Sequence, residues 1–278
     1  MMKSKLAGIL AKLLIKGLMT FSRASRFKFA EFIAPIILKV AKKTRNRAIK
    51  NVTNAMPELT SEQANSVVIQ SYKNIVFGVL ECFWLDEVEM DIECDEQTLM
   101  LLNNSKGVSV ATMHMSCYEL PPFSMQKLIG KATTLSKVPT FIDSAQDIYR
   151  KANINVIDKN QPNAFLKLLQ ASRKGDAICL HADHYATDVD VTFFKRPTKA
   201  PCGSVMISAY SKVPLLLCYS ILNPNGRYTV YFETVVDSYV ENTPTAIKKA
   251  LQKVYQRFEH IILEHPNQWY WSYNRWKE

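Results

Sequence analysis

Residues 107–129 read GVSVATMHMSCYELPPFSMQKLI, and this stretch decides the fold. GVSVATM (107–113) is a short apolar run that suits a strand buried on both faces, and residues 118–129 read as the helix that follows it. The same alternation extends outward. Strands are predicted over 132–136, 154–157 and 177–182, with another candidate at 191–194. Helices are predicted over 141–151, 163–173 and 203–211. Two strong strands, 214–221 and 228–236, are separated by Asn225-Gly226, a good hairpin turn. A last helix covers 244–263, and upstream a helical pattern runs over 60–83 with Thr60 or Ser61 as its N-cap. The order implies an α/β domain whose mostly parallel central sheet is covered by helices, with an antiparallel element near its end.

The chain has 278 residues, 47% of them apolar, enough for a sizeable core in one large domain. Its net charge of +10 is unevenly placed. Residues 1–50 hold nine Lys and four Arg against one acid, Glu31, a local net of +12, while residues 51–278 carry a net of −2. A nucleic-acid enzyme would carry its positive charge on the folded body, so nucleic acid is excluded as a partner and an anionic membrane surface is favoured. The six cysteines lack metal-type pairing, which fits free thiols in a reducing compartment.

The first 27 residues, MMKSKLAGILAKLLIKGLMTFSRASRF, place Lys5, Lys12, Lys16 and Arg23 within a helical stripe about 40° wide. Leu6, Leu10, Leu13, Leu14, Leu18 and Phe21 fill much of the remaining circumference. A spanning helix wants roughly 20 apolar residues with few charges. This segment suits an amphipathic helix lying in the membrane interface, with a second apolar run, FAEFIAPIILKVAKK, broken or kinked at Pro35. The division expected is a basic helical membrane arm, 1–50, and a body, 51–278. A helix docked on the protein's own core is the competing reading. The aromatic C-terminus, QWYWSYNRWKE, suits either a wet–apolar boundary or a core-packing tail.

Chemistry concentrates in ATMHMSCYEL (111–120), where an apolar strand ends at His114 and Glu119 follows. On a regular helix residues five apart do not share a face. With His114 on the loop and Glu119 in the first helical turn, the turn can bring them together. Glu119 then accepts a hydrogen bond from one imidazole nitrogen and leaves the other free to take a proton. Rival readings use other residues. HADHYATDVD offers His181, Asp183, His184, Asp188 and Asp190 as divalent-metal ligands for a hydrolase. Cys117 offers a thiol nucleophile with His114 as base. A non-enzymatic lipid-binding protein would use the basic arm alone.

Five segments in order carry a resemblance to the bacterial lipid A biosynthesis acyltransferases, of the lysophospholipid acyltransferase superfamily. RNRAIKNVTNAMPELTSEQ resembles a family stretch through Arg47, Asn51, Pro57 and Glu58. His114 and Glu119 match the superfamily's His-x-x-x-x-Asp/Glu dyad. Asp183 follows Gly175 at the family's spacing. VTFFKRP, followed by Gly203, and EHPNQWYWSYNRWK match two further signatures. Departures are Ser116 and Cys117 where Gly and Asn are frequent, His184 where Gln is common, and Lys137 where an Arg often stands.

The resemblance implies an O-acyltransferase that moves a fatty acyl chain from an acyl thioester, on acyl carrier protein or coenzyme A, to a hydroxyl of a lipid acceptor. A lipid A precursor leads; another glycolipid, a phospholipid or an acylated metabolite is the alternative. It implies His114 as general base, Glu119 as its partner, and Lys137 as the candidate oxyanion cation. Asp183, Arg196 and Lys199 are acceptor-binding candidates. No cofactor or metal is required, and the expected location is the cytoplasmic face of the bacterial inner membrane, peripheral or monotopic.

Overall fold

The computed structural model of the chain describes residues 17, 18, 20–136 and 145–277. Its centre is a seven-stranded sheet. In chain order the strands are β1 (Met90–Cys94), β2 (Val108–Thr112), β3 (Ala132–Ser136), β4 (Asn155–Asp158), β5 (Ala177–His181), β8 (Leu215–Leu222) and β9 (Tyr228–Val236). They lie side by side as β1-β9-β8-β2-β5-β3-β4. Every neighbouring pair is parallel except β8 and β9, joined by the turn at Asn225-Gly226. A separate antiparallel hairpin pairs β6 (Val189–Phe193) with β7 (Arg196–Ala200). The expected parallel α/β architecture is therefore present, with its antiparallel element at the end of the chain.

The strands β2 and β8 explain why the sheet is covered on both sides. Leu215, Leu217, Tyr219 and Ile221 enter one apolar cluster, while Leu216, Cys218 and Leu222 enter another. Alternate side chains of a strand point to opposite faces, so a continuous apolar run requires cover on each. On one side lie α8 (Gly203–Ser211) and α9 (Pro244–Glu264), contributing Val205, Leu251, Val254 and Phe258. On the other is α5 (Leu120–Ile129), contributing Leu120, Phe123 and Met125. Shorter helices α4 (Glu96–Asn104), α6 (Ala145–Lys151) and α7 (Ala164–Arg173) complete the connections. The alternation β1–α4 escaped the sequence reading because MDIEC alternates apolar and acidic residues on a half-exposed edge strand.

Helices α1 (Arg23–Val40), α2 (Lys42–Ala55) and α3 (Ser61–Glu81) precede the sheet. Thr60 caps α3 as predicted, in a reciprocal capping box with Gln63. Pro35 does not end its helix; α1 runs through it and stops at Ala41. Ala30, Ala34 and Leu38 turn one face of α1 inward and pack it along α3, while Phe32, Ile36 and Val40 stay exposed. Residue 50, the end of the basic arm, falls inside α2, whose Ala48, Asn51 and Val52 are buried. Residues 1–16, with most of the predicted amphipathic helix, lie outside the described residues. Among the described residues no helix is long and apolar enough to cross a membrane.

Helix α3 meets the turn after β2 with no side chain between them. A Cβ built on Gly78 would stand 2.3 Å from the Ser116 carbonyl oxygen and 2.8 Å from the Cys117 nitrogen. Both are backbone atoms and neither can swing aside. Replacing Gly78 by Ala should therefore cost more than about 2 kcal/mol of stability through overpacking. Chemical denaturation of the two proteins checks this, and equal midpoints would mean that α3 can shift.

Candidate active site

The parallel register of β2 on β5 pairs Thr112 with His181. Two residues further along each chain, past the ends of both strands, stand His114 and Asp183. The Thr112 hydroxyl shares a 2.7 Å hydrogen bond with His181 Nδ1, and His114 Nδ1 lies 2.8 Å from Asp183 Oδ1. The same carboxylate accepts the His114 backbone N–H at 3.0 Å and the Trp269 indole N–H at 2.9 Å. Asp183 is completely buried. Burial alone would push its carboxyl up, but electrostatic attraction to the adjacent His114 and the hydrogen bonds from it outweigh burial and hold Asp183 well below the usual carboxylate range. An ionised Asp183 at Nδ1 fixes the neutral tautomer that carries its proton there, which leaves Nε2 as the lone-pair nitrogen.

Glu119 is not the partner that the sequence suggested. It occupies the N-cap position of α5 rather than its first turn, and Tyr149 donates to its Oε1 at 2.7 Å. Its Oε2 is buried and has no hydrogen-bond partner among the described residues. Burial pushes the Glu119 carboxyl up, and the Tyr149 hydrogen bond and the His114 charge pull it partly back. The hydrogen bond at the imidazole belongs to Asp183, 69 residues further along the chain.

The turn that carries His114 is fastened by the C-terminal tail. Tyr270 N–H donates to the His114 carbonyl at 3.1 Å, and Ser116 N–H to the Gln268 carbonyl at 2.8 Å. The Ser116 hydroxyl meets Gln268 Oε1, whose amide nitrogen donates to Leu222 at 3.1 Å. This network holds Ser116 at a positive φ of 51°. The tail is in turn gripped by α2: Arg47 donates to the Ser272 carbonyl at 2.7 Å and Asn51 to the Trp271 carbonyl at 2.9 Å. Trp269 and Trp271 are 1% exposed and Arg275 is fully buried, so the aromatic C-terminus is a core-packing tail. Arg275 also donates to Tyr255, whose hydroxyl meets the Ala182 carbonyl beside Asp183.

His114, Tyr118 and Glu119 open onto a cavity of about 550 Å³. Val79, Phe83, Leu135, Ile148, Leu180 and Pro201 give it apolar walls, and Lys159 brings a cation to it. The ring of His184 lies flat on that of His114, their centroids 3.7 Å apart. Of the remaining candidates, Arg196 lies on β7 with its guanidinium over Trp276, and Lys199 pairs with Asp190 at 3.6 Å. Neither lines the cavity. Lys137 falls outside the described residues. Cys117 is completely buried beside Cys82 and is not part of the wall, which removes the setting for a thiol nucleophile.

The metal reading also meets a geometric obstacle. Asp188 accepts from the Cys202 backbone and Asp190 is drawn to Lys199, so the acids of HADHYATDVD do not converge. His114, Asp183 and His184 each bring a ligand atom within 4.8 Å of the others. Their two imidazoles are stacked in parallel planes, however, so the in-plane lone pairs do not point at one ion, and Asp183 is already committed to His114.

Fold and site thus define an α/β protein with a buried acid–imidazole pair at the carboxyl end of its parallel strands, facing a largely apolar cavity. The family model for bacterial lipid A biosynthesis acyltransferase matches residues 6–278, and the chain belongs to that family. A search of curated proteins returns no match.

The titrating groups predict how acid affects the fold. Burial lowers His184 from an ordinary 6.5 to about 4, and lowers His181 well below the ordinary range. As pH falls from 6.5 towards 4, the unfolded chain therefore takes up protons that the native state refuses, and stability is lost. The stabilisation from ionised Asp183 is lost only at lower pH, while Glu119, with its raised pKa, works in the opposite sense. Denaturation midpoints should fall between pH 6.5 and 4, and fall less in His184→Phe. A pH response unchanged by that substitution would contradict the assignment.

Proposed function

We propose that this family member transfers a fatty acyl chain from an acyl thioester, carried by acyl carrier protein or coenzyme A, to a hydroxyl of a lipid acceptor, with a lipid A precursor as the leading candidate. The observation that carries the reading is the 2.8 Å contact between His114 Nδ1 and a buried, ionised Asp183 at the mouth of an apolar cavity. His114 Nε2 takes the proton of the acceptor hydroxyl as its oxygen attacks the thioester carbonyl. Asp183 orients the ring and stabilises the imidazolium, and Glu119 lies close enough to interact electrostatically with His114. The tetrahedral intermediate collapses with cleavage of the C–S bond, and the imidazolium returns its proton to the departing thiolate. Lys159, which lines the cavity, is a candidate to stabilise the oxyanion or hold an anionic group of a substrate, alongside Lys137.

The cavity volume lies in the range of small-ligand sites, and its apolar walls suit an alkyl chain. The basic arm, residues 1–50, would hold the enzyme on an anionic bilayer. Phe32, Ile36 and Val40 project from α1, which also carries the exposed Lys28 and Lys39, a composition suited to an interfacial contact on the cytoplasmic face of the inner membrane.

Thiol release from acyl-carrier-protein thioesters, measured with and without a bacterial lipid extract, tests the reaction. Lipid-dependent release should fall by about 10²–10⁴-fold in His114→Ala, the usual contribution of a general base, and strongly in Asp183→Asn. Release without any acylated lipid would replace transfer by thioester hydrolysis. A fully active His114→Ala would sink the mechanism.

A further inference from the structure

We propose that His184 is a positioning residue for His114, working as a flat plate that sets the tilt of the reacting imidazole and stabilises it once protonated. The inference rests on His114 being the base. His184 is the middle layer of a three-ring stack. Its ring lies 3.7 Å from His114 with an interplanar angle of 1°, and 3.7 Å from Tyr273 with an angle of 7°. His114 and Tyr273 therefore cover its two faces.

The stack supplies a constraint that Asp183 cannot. A hydrogen bond to Nδ1 fixes the tautomer and one edge of the ring, but leaves the ring free to rock about the Nδ1–carboxylate line. Rocking swings Nε2 away from the hydroxyl it must reach. A second ring in face contact blocks this motion. Tyr273 supports the plate from behind, and its backbone is fixed, since Asn51 donates to its carbonyl at 3.2 Å. His181 and Tyr118 approach His114 at 4.4 and 5.0 Å, but tilted by 38° and 51°, so neither forms a parallel plate.

The plate also has the right charge. Burial, together with the nearby His114, Arg275 and Lys159, keeps His184 uncharged at neutral pH against the opposing pull of Asp183. A neutral aromatic face attracts a cation, so the stack favours the imidazolium formed during proton transfer. Among the described residues the buried Nε2 of His184 has no hydrogen-bond partner. Both faces of this ring are in contact with other rings.

The test compares full-length wild type, His184→Ala, His184→Phe and His114→Ala, using acyl-carrier-protein thioesters and a bacterial lipid extract. Removal of the plate in His184→Ala should lower kcat about tenfold while KM for the thioester moves little. His184→Phe, which restores a flat neutral ring with no titrating nitrogen, should recover most of the loss. Should His184→Ala fail to fold, Tyr273→Ala reads the same stack from its outer side and should lower kcat in the same sense. Activity of His184→Ala within twofold of wild type overturns the proposal, as does a folded His184→Phe no better than His184→Ala. If His114→Ala is inactive while His184→Ala is normal, the base reading stands and the plate alone falls. If His114→Ala is as active as wild type, both fall.

Discussion

A carboxylate removed from water must be met by donors or lose its charge, and the structure around Asp183 is arranged to satisfy that requirement. Its oxygens accept from the His114 ring, the His114 backbone and the Trp269 indole. The donors come from two distant parts of the chain and the carboxylate from a third, so the charge ties together the end of β2, the segment after β5 and the C-terminal tail. Taking away one donor leaves a buried charge partly unpaired, which is costlier than the loss of one surface hydrogen bond. The same charge that gathers these segments also selects the tautomer of His114, so folding and the proposed proton transfer draw on one interaction.

The C-terminal tail gives that interaction its rigidity. Residues 267–276 cross the molecule between α2, α3, the β6–β7 hairpin and the turn after β2. Arg47, Asn51 and Ser71 hold their backbone, and Gln268, Trp269 and Arg275 reach inward from them. Arg47 and Asn51 on α2 thus serve as clamps for a segment more than 200 residues away. The close approach of α3 at Gly78 presses the same turn from the other side.

Around the imidazole, burial sets the protonation states. His181 and His184 are held neutral, Asp183 is held ionised by its neighbours, and Glu119 is pulled in both directions. The result is one imidazole with an ionised partner among others that keep no charge of their own, a division of roles that suits a single proton acceptor.

The sequence by itself determined most of the strand–helix order from β2 onward, the buried strands, the capping of α3 by Thr60, the hairpin at Asn225-Gly226 and the identity of His114 and Asp183 as chemically interesting. These follow from local periodicity and residue type, which act over a few residues. It assigned the wrong partner to His114, because Glu119 is near in sequence while Asp183 becomes near only when β2 and β5 pair in parallel register. It left the aromatic tail undecided for the same reason: Trp and Tyr suit a membrane boundary or a core, and only the packing of residues 267–276 against α2 and α3 chooses. The His184 stack was likewise invisible, since ring planes are set by neighbours from distant segments. What is local in the chain was legible; what depends on strand register and long-range packing was decided by the tertiary structure.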